Sequence, residues 1–440
     1  MDLTIIPNHP LCGTVTLPGD KSISHRAALF AALANGESRI NNFLSAGVTD
    51  VLLKSLTDLG VTWEKENSKL TVHGKGLSAL KPPEKIINCG NSATTMRLLA
   101  GAIAAAGLPA ILDGSQGLRR RPMARIISPL RRMGVEIMPA EGNIAPLDIK
   151  ARPDDQLLKG IDYTLPVASA QVKSTILLAA LAASSPTTIH EPGPSRDHTE
   201  RMLSSMGASL LSQQGNKPSV QLSPSLPVQL SPLQMQIPGD FSSASFLIVA
   251  AAILPGSYLT LLQVGLNPTR TGLLDVLLSM GADIRIENQQ QQCGEPVGDV
   301  TIRSSQLKST RVKGSLVVRM IDEFPIFAVA ASCAQGRTMV QDAGELRNKE
   351  SDRINTISTM LEERGINIQE KADGFIIDGP NQIQGGTIHA GGDHRLAMSM
   401  IIAGLLAESP LRVEGAQIIH ESFPGFVDRL KNTGAIIHHA

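Results

Sequence analysis

Excess charge of either sign is missing from this 440-residue sequence: 40 lysines and arginines face 40 aspartates and glutamates. Such a balance excludes general nucleic-acid or membrane-surface binding, which rests on a surplus of cations. Aromatic residues are scarce at 3%, which leaves few platforms for stacking bases. Any anion site must therefore be a local concentration of cations. Cysteine is rare too. Cys12, Cys89, Cys293 and Cys333 form no C-x-x-C pair, so neither a disulfide framework nor a zinc site is indicated, and each is expected to be a buried, inert thiol. The longest apolar runs, such as Phe246 to Leu254, fall far short of a bilayer span. The opening MDLTIIPNHP lacks the basic and apolar regions of a signal peptide, so a reduced, cytoplasmic setting is expected. No G-x-x-x-x-G-K-[ST] loop occurs, which argues against a Walker-type nucleotide site; Gly74-Lys75-Gly76 reads as a turn between strands.

What the sequence does have is length and repetition. At 440 residues it exceeds the ~250–300 at which a single core usually splits, so two domains are expected. One local pattern returns six times: an amphipathic helix, then a glycine, then a β-rich run. The helices are read at 52–59, 126–133, 200–206, 273–280, 354–364 and 426–433. Their glycines, Gly60, Gly134, Gly207, Gly281, Gly365 and Gly434, are separated by 74, 73, 74, 84 and 69 residues. A glycine just past a helix is the expected left-handed cap, and the β-branched residues after it begin a strand. Near-constant spacing marks internal duplication, with three repeats in each of two similar α/β domains.

A second set of helix starts carries chemistry. In Leu17-Pro18-Gly19-Asp20-Lys21-Ser22-Ile23-Ser24-His25-Arg26, a Pro-Gly turn delivers the N-cap Asp20 directly before two cations and a hydroxyl. Asn91 to Arg97, Ser169 to Ser174, Asp240 to Ala244, Asp322 to Pro325 and Gly392 to Arg395 open further apolar helices. Small polar residues there are capping chemistry; the cations and carboxylates placed with them are the excess. Converging helix starts would add their dipoles into one positive site, each contributing ~0.3–1 kcal/mol toward an anion.

These segments resemble the 5-enolpyruvylshikimate-3-phosphate synthase (3-phosphoshikimate 1-carboxyvinyltransferase) family. The matches are LPGDKSISHR, GNSATTMR, RRRPMAR, SAQVKS, RDHTE, NPTRTG, DEFP, NKESDR, GDHRLAM and SFPGF, running in order along essentially the whole chain. GDK, SAQVK, RDHTE and NPTR together resemble its class II, glyphosate-tolerant branch. The resemblance implies an inside-out α/β barrel in each of two domains, built from βαβαββ-type repeats, with helix starts facing an interdomain cleft that closes on substrates. The domains implied are 1–19 with 240–440, and 20–239, with crossings near Gly19-Asp20 and Pro238-Gly239-Asp240. The reaction implied is transfer of the enolpyruvyl group of phosphoenolpyruvate to the 5-hydroxyl of shikimate 3-phosphate by addition and elimination, releasing phosphate on the route to chorismate and aromatic amino acids. Neither a metal nor an organic cofactor is implied, and no partner beyond the two substrates; a monomer is expected.

By the same resemblance, Lys21, Ser22, Arg26, Ser169, Ala170, Gln171, Arg196, Asp322 and Lys349 hold shikimate 3-phosphate. Lys21, Ala93, Arg121, Gln171, Arg353 and Arg395 surround phosphoenolpyruvate, where planar guanidinium groups suit carboxylate and phosphate. Asp322 accepts the proton of the attacking hydroxyl. Glu350 protonates the methylene carbon and takes the proton back, and Lys21 completes the catalytic set. Flanked by Lys349 and Arg353, Glu350 needs burial to act as an acid. The plainer reading makes Asp322 and Glu350 helix-start residues favoured by the dipole. His25, His198 and His394 form no metal set and read as supporting or packing residues. Lys173 either reaches the site or pairs with surface acids, while Arg119 and Arg120 are expected to be solvated beside Arg121. Two departures stand out: Ala93 where glyphosate-sensitive members have glycine, and Glu421 where they often carry lysine.

Three rival readings are distinguishable. UDP-N-acetylglucosamine enolpyruvyl transferase has asparagine after the crossing lysine and a reactive cysteine on a loop; here Ser22 follows Lys21, and the 119–121 region has no cysteine. An RNA 3′-phosphate cyclase-like enzyme needs a basic track, which the neutral composition opposes. An inactive anion-binding module is opposed by the retention of Lys21, Asp322 and Glu350.

Overall fold

All six predicted helix–glycine–strand junctions form in the computed structural model, which describes residues 1–439 apart from Asn8, Asp154, Gln214, Asn216 and Lys217. The helices run Gly47–Asp58, Ala124–Arg132, His198–Ser205, Gly272–Ser279, Arg353–Glu362 and Phe426–Asn432. The six glycines that follow all have positive φ, from 78° at Gly365 to 120° at Gly434. That conformation is open to glycine at little cost, so the sequence spacing did mark helix ends.

Among the described residues there are six four-stranded sheets with one shared arrangement. In one of them Ile87–Asn88 lies parallel to Ala110–Asp113, which is antiparallel to Ile144–Ile149, itself antiparallel to Ile137–Ala140. Helix Ala93–Ala106 joins the first two strands and helix Ala124–Arg132 leads into the final hairpin, giving the βαβαββ unit. Two sheets exchange their first strands. Gln234–Gln236 pairs with Asn35–Asn41, and Cys12–Thr16 pairs with Tyr258–Gly265, both parallel. The last repeat is completed from the other end of the chain: Leu3–Ile6 sits between Leu411–Glu414 and Ile436–His439.

The chain divides into two compact units, Met1–Asp20 with Pro238–Gln291 and Pro296–Ala440, and Lys21–Ile237 with Gln292–Glu295. Within the first, the two Pro-Gly-Asp turns are paired: Asp20 N donates to Pro238 O at 2.9 Å and Asp240 N to Pro18 O at 3.0 Å. Each unit has its own core. Inner helices are buried nearly all round; every residue of Phe241–Ile253 is buried. Alanine and glycine let such helices approach closely. A Cβ on Gly101 would stand 2.4 Å from Thr175 O, so helix Ala93–Ala106 contacts helix Ala170–Ala180 through a bare backbone.

Two expectations are corrected. Cys12 is exposed and Cys293 and Cys333 are half-buried; only Cys89 is fully buried among the four free thiols. Cys12 begins a strand at the rim of its sheet, where just one of five residues is buried. Gly74-Lys75-Gly76 is not a turn between strands: Gly74 and Lys75 end strand Lys69–Lys75, and Gly76 leads into the 3₁₀ turn Leu77–Ala79. Gly74 is required there because a Cβ would meet Ala31 O at 2.3 Å.

Candidate active site

The predicted site residues gather at the starts of inner helices, in one cluster per unit. In the unit built on Lys21–Ile237, the first turns of three helices are joined by side chains. Ser92 caps helix Ala93–Ala106 by accepting from Thr95 N, and Ser169 caps helix Ala170–Ala180 by accepting from Val172 N. Gln171 is held from both sides of its amide: Arg97 Nη1 donates to its Oε1 at 2.5 Å, and its Nε2 donates to Thr94 Oγ1 at 2.8 Å. Arg97 also donates to Pro122 O at 2.9 Å, which links this turn to the segment carrying Arg121. Arg121 is half-buried.

Arg26 lies one helical turn inside helix Lys21–Leu33 and is 2% exposed. Its guanidinium donates to Thr199 Oγ1 at 2.7 Å, Ser174 Oγ at 2.8 Å and Ser22 O at 3.0 Å. Lys21, Ser22 and Arg196 are half-buried, and Ala93 is 3% exposed in the first turn of its helix. His25 supports the same turn, its Nδ1 2.8 Å from Lys21 O. Burial pulls its imidazole down to about 4, so near neutral pH it is uncharged and donates to that carbonyl.

The second cluster lies in the other unit and is richer in charge. Asp322 Oδ1 is 3.6 Å from Lys349 Nζ and 3.7 Å from Arg353 Nη1, and its Oδ2 is 3.9 Å from Arg395 Nη2. Arg353, at the start of helix Arg353–Glu362, is 1% exposed; its Nε donates to Asp393 Oδ2 at 2.8 Å and its Nη2 to Glu350 Oε2 at 2.7 Å. Burial is the strongest influence on Arg353 and works against its charge. Asp393 and Glu350 outweigh it and hold the guanidinium above its usual range. Burial likewise works against the Asp393 carboxylate, yet Arg353 holds it below the ordinary range. Asp393 caps helix His394–Gly404 through Arg395 N at 2.9 Å. Arg395 then reaches Asp322 O at 3.1 Å and the Ser242 hydroxyl, which donates to Glu323.

The assigned residues divide between the two units. Lys21, Ser22, Arg26, Ala93, Arg121, Ser169, Ala170, Gln171 and Arg196 belong to one; Asp322, Lys349, Glu350, Arg353 and Arg395 belong to the other. The unassigned residues are those that hold them: Thr94 and Arg97 for Gln171, Ser174 and Thr199 for Arg26, Asp393 and Ser242 for the two buried arginines. The signal for five of them is the matched motifs themselves, and Ser242 lies in the helix start Asp240 to Ala244. Arg270, from NPTRTG, supports the same unit as Asp322. It lies 3.7 Å from Asp20 and 3.4 Å from Asp240, tying the two crossing turns within their unit. Lys173 is a correction: its acids, Glu191 and Glu200, are buried rather than on the surface. Both neighbours of Arg121 are exposed, as expected, and Arg119 also pairs with Asp113. His198 is a supporting residue, its Nδ1 2.8 Å from Glu295. Among the described residues no group of three or more His, Cys, Asp or Glu could hold a metal ion.

The sequence profile of the family described as EPSP synthase (3-phosphoshikimate 1-carboxyvinyltransferase) matches residues 5–430. A 3-phosphoshikimate 1-carboxyvinyltransferase of Desulfitobacterium hafniense is 45% identical over 427 residues, covering 97% of this chain and 96% of that protein. One from Roseiflexus sp. is 46% identical over 429 residues, covering 97% and 98%. The solved EPSP synthase of Acinetobacter baumannii superposes with a TM-score of 0.89 at 40% identity, covering all of both chains. With the motifs in order, the repeat architecture matched and the profile spanning nearly every residue, the chain belongs to the EPSP synthase family.

Proposed function

We infer that this protein transfers the enolpyruvyl group of phosphoenolpyruvate to the 5-hydroxyl of shikimate 3-phosphate and releases phosphate. The observation that carries this reading is Asp322 set between Lys349, Arg353 and Arg395, with Glu350 on Arg353. Two carboxylates among three cations suit an addition–elimination in which both substrates bring a phosphate and a carboxylate. Asp322 takes the proton of the attacking hydroxyl. Glu350 delivers a proton to the methylene carbon, and the same group recovers it when phosphate leaves. Arg121, Arg353, Arg395 and Gln171 hold phosphoenolpyruvate beside Ala93, with Lys21 serving both substrates. Ser22, Arg26, Ser169, Ala170, Gln171 and Arg196 take shikimate 3-phosphate, and Lys349 and Asp322 take its ring hydroxyls. Catalysis on this reading comes from positioning and charge complementarity.

We also propose that residues 1–19 with 240–440 and residues 20–239 are the two domains, a division supported by the compact units meeting at Asp20/Lys21 and Ile237/Pro238. The enzyme acts as a monomer, and in the cytoplasm, where its four free cysteines fit a reducing setting. Release of phosphate from phosphoenolpyruvate tests the activity. It is expected with shikimate 3-phosphate present and not without it; release that ignores shikimate 3-phosphate would overturn the assignment.

We propose membership of the class II, glyphosate-tolerant branch on GDK, SAQVK, RDHTE and NPTR together, with Ala93 contributing to the tolerance. Its methyl is 3% exposed in the first turn of its helix, where a longer inhibitor would be crowded and phosphoenolpyruvate spared. Overpacking costs ~1–3 kcal/mol, or roughly five- to over a hundred-fold in affinity. Ala93→Gly is accordingly expected to sharpen glyphosate inhibition by about that factor, measured as the inhibitor concentration that halves phosphate release. An unchanged value would count against this reading of Ala93.

A further inference from the structure

The ammonium of Lys173 is a buried charge that the reaction above does not use. Lys173 lies in the first turn of helix Ala170–Ala180 and is 1% exposed. Its Nζ is 2.8 Å from Glu191 Oε1 and 2.6 Å from Glu200 Oε1. Glu191 in turn accepts from the Ser195 hydroxyl through its other oxygen. Glu200 Oε2 is buried and makes no hydrogen bond. Burial is the strongest influence on Lys173 and disfavours its charge; Glu200 and then Glu191 more than offset it, so the side chain stays protonated.

Three segments meet at this ammonium: two carry residues assigned to shikimate 3-phosphate, and the third touches another, Arg26. The helix of Lys173 starts at Ser169, Ala170 and Gln171. Glu191 and Ser195 frame the loop that ends in Arg196. Glu200 follows Thr199, whose hydroxyl accepts from Arg26 Nε at 2.7 Å and lies 2.6 Å from Ser174 Oγ. An apolar side chain of similar size would fill this space at less electrostatic cost, but it would not fix direction. Three N–H donors on one nitrogen need acceptors at set positions. We propose that Lys173, with Glu191 and Glu200, is a positioning residue for the 3-phosphate: it sets the Arg196 loop and, through Thr199, the Arg26 guanidinium.

The inference rests on the assignment of Arg26 and Arg196 to shikimate 3-phosphate, and the test separates the two. Titration calorimetry with shikimate 3-phosphate and with shikimate, which lacks the phosphate, is run on the wild type, Glu200→Gln and Ser195→Ala. Thermal unfolding accompanies each. Glu200→Gln keeps the length and the Oε1 acceptor, while Ser195→Ala loosens the other arm without stranding a charge, so one folded variant suffices. Each is expected to bind shikimate 3-phosphate about tenfold more weakly, a change typical of losing a well-placed charged hydrogen bond. Shikimate affinity, kcat and the KM for phosphoenolpyruvate should stay within about twofold, as expected for contacts confined to the phosphate. Folded variants that bind both ligands like the wild type, or lose both in parallel, would overturn the positioning role alone. A wild type that binds the two ligands equally well would overturn the site assignment and this inference with it.

Discussion

Asp322 and Glu323 are adjacent carboxylates with different surroundings. Glu323 is fully buried and takes the Ser242 hydroxyl, while Asp322 keeps some exposure and meets three cations. A proton acceptor needs access to substrate, which is why Asp322 and not Glu323 is the residue proposed above for chemistry. Glu350, the second proposed proton carrier, is partly exposed and bonded to Arg353. Asp322→Asn and Glu350→Gln keep shape and remove the ability to exchange a proton at neutral pH. Each is expected to lower kcat by ~10²–10⁴ with far smaller changes in KM, read by phosphate release. Turnover within a few-fold of the wild type in either variant would deny that residue its proton-transfer role. His25 acts on stability instead. The folded chain keeps this fully buried imidazole neutral down to about pH 4, whereas an exposed histidine gains a proton near ~6.5. Between those values the unfolded chain binds more protons, so stability falls as pH falls through that window, by about 3 kcal/mol in full. Denaturant unfolding between pH 7 and 4 should show this loss, and His25→Gln should flatten it. An identical slope in the variant would assign the acid sensitivity to other groups.

Elements were legible in the sequence wherever their signal is local. A helix end written as a glycine in left-handed conformation needs only its own neighbours, and all six such ends lie where their spacing put them. Capping is equally local: Ser92, Ser169, Asp240 and Asp393 accept from backbone N–H groups two or three residues on. Partners across the fold are a different matter. Thr199 is 173 residues from Arg26 and Ser174 is 148 away, so no local pattern showed that these hydroxyls would take its N–H groups. Lys173 failed for the same reason, since pairing with acids was readable but their burial was not. Strand exchange was half legible. Matching Pro-Gly-Asp turns marked where the chain crosses, yet a three-residue strand such as Gln234–Gln236 has too little periodicity to reveal its neighbour. The hairpin tip Gln292–Glu295 gave no signal at all, because its place depends on His198 and Arg201 far upstream.

At the scale of the molecule, one repeat is assembled from both ends of the chain. Leu3–Ile6 is antiparallel to both of its neighbours, with Leu3 opposite His439 and Val413 and Ile5 opposite Ile437 and Leu411. Leu3 and Ile5 are fully buried, and a Cβ on Gly404 would lie 3.1 Å from the Ile5 Cβ, so this strand is part of the core. If each repeat is specified by its internal order, that order should tolerate being made continuous. Residue 439 can be joined to residue 3 by a turn of roughly three to five residues, since paired antiparallel ends need no longer connection. New ends fit between Glu84 and Lys85, which are both exposed and outside any helix or strand. Surface sites of this kind are where permutation succeeds. In the permuted chain the last repeat reads strand, helix, strand, helix, strand, strand without interruption. Its thermal midpoint should lie within a few degrees of the parent and its phosphate release within about threefold, whereas a chain lacking residues 1–16 should fail to fold because two sheets each lose a strand. An insoluble permutant beside a soluble truncation would mean that the N-terminal strand closes the sheet without being needed to build it.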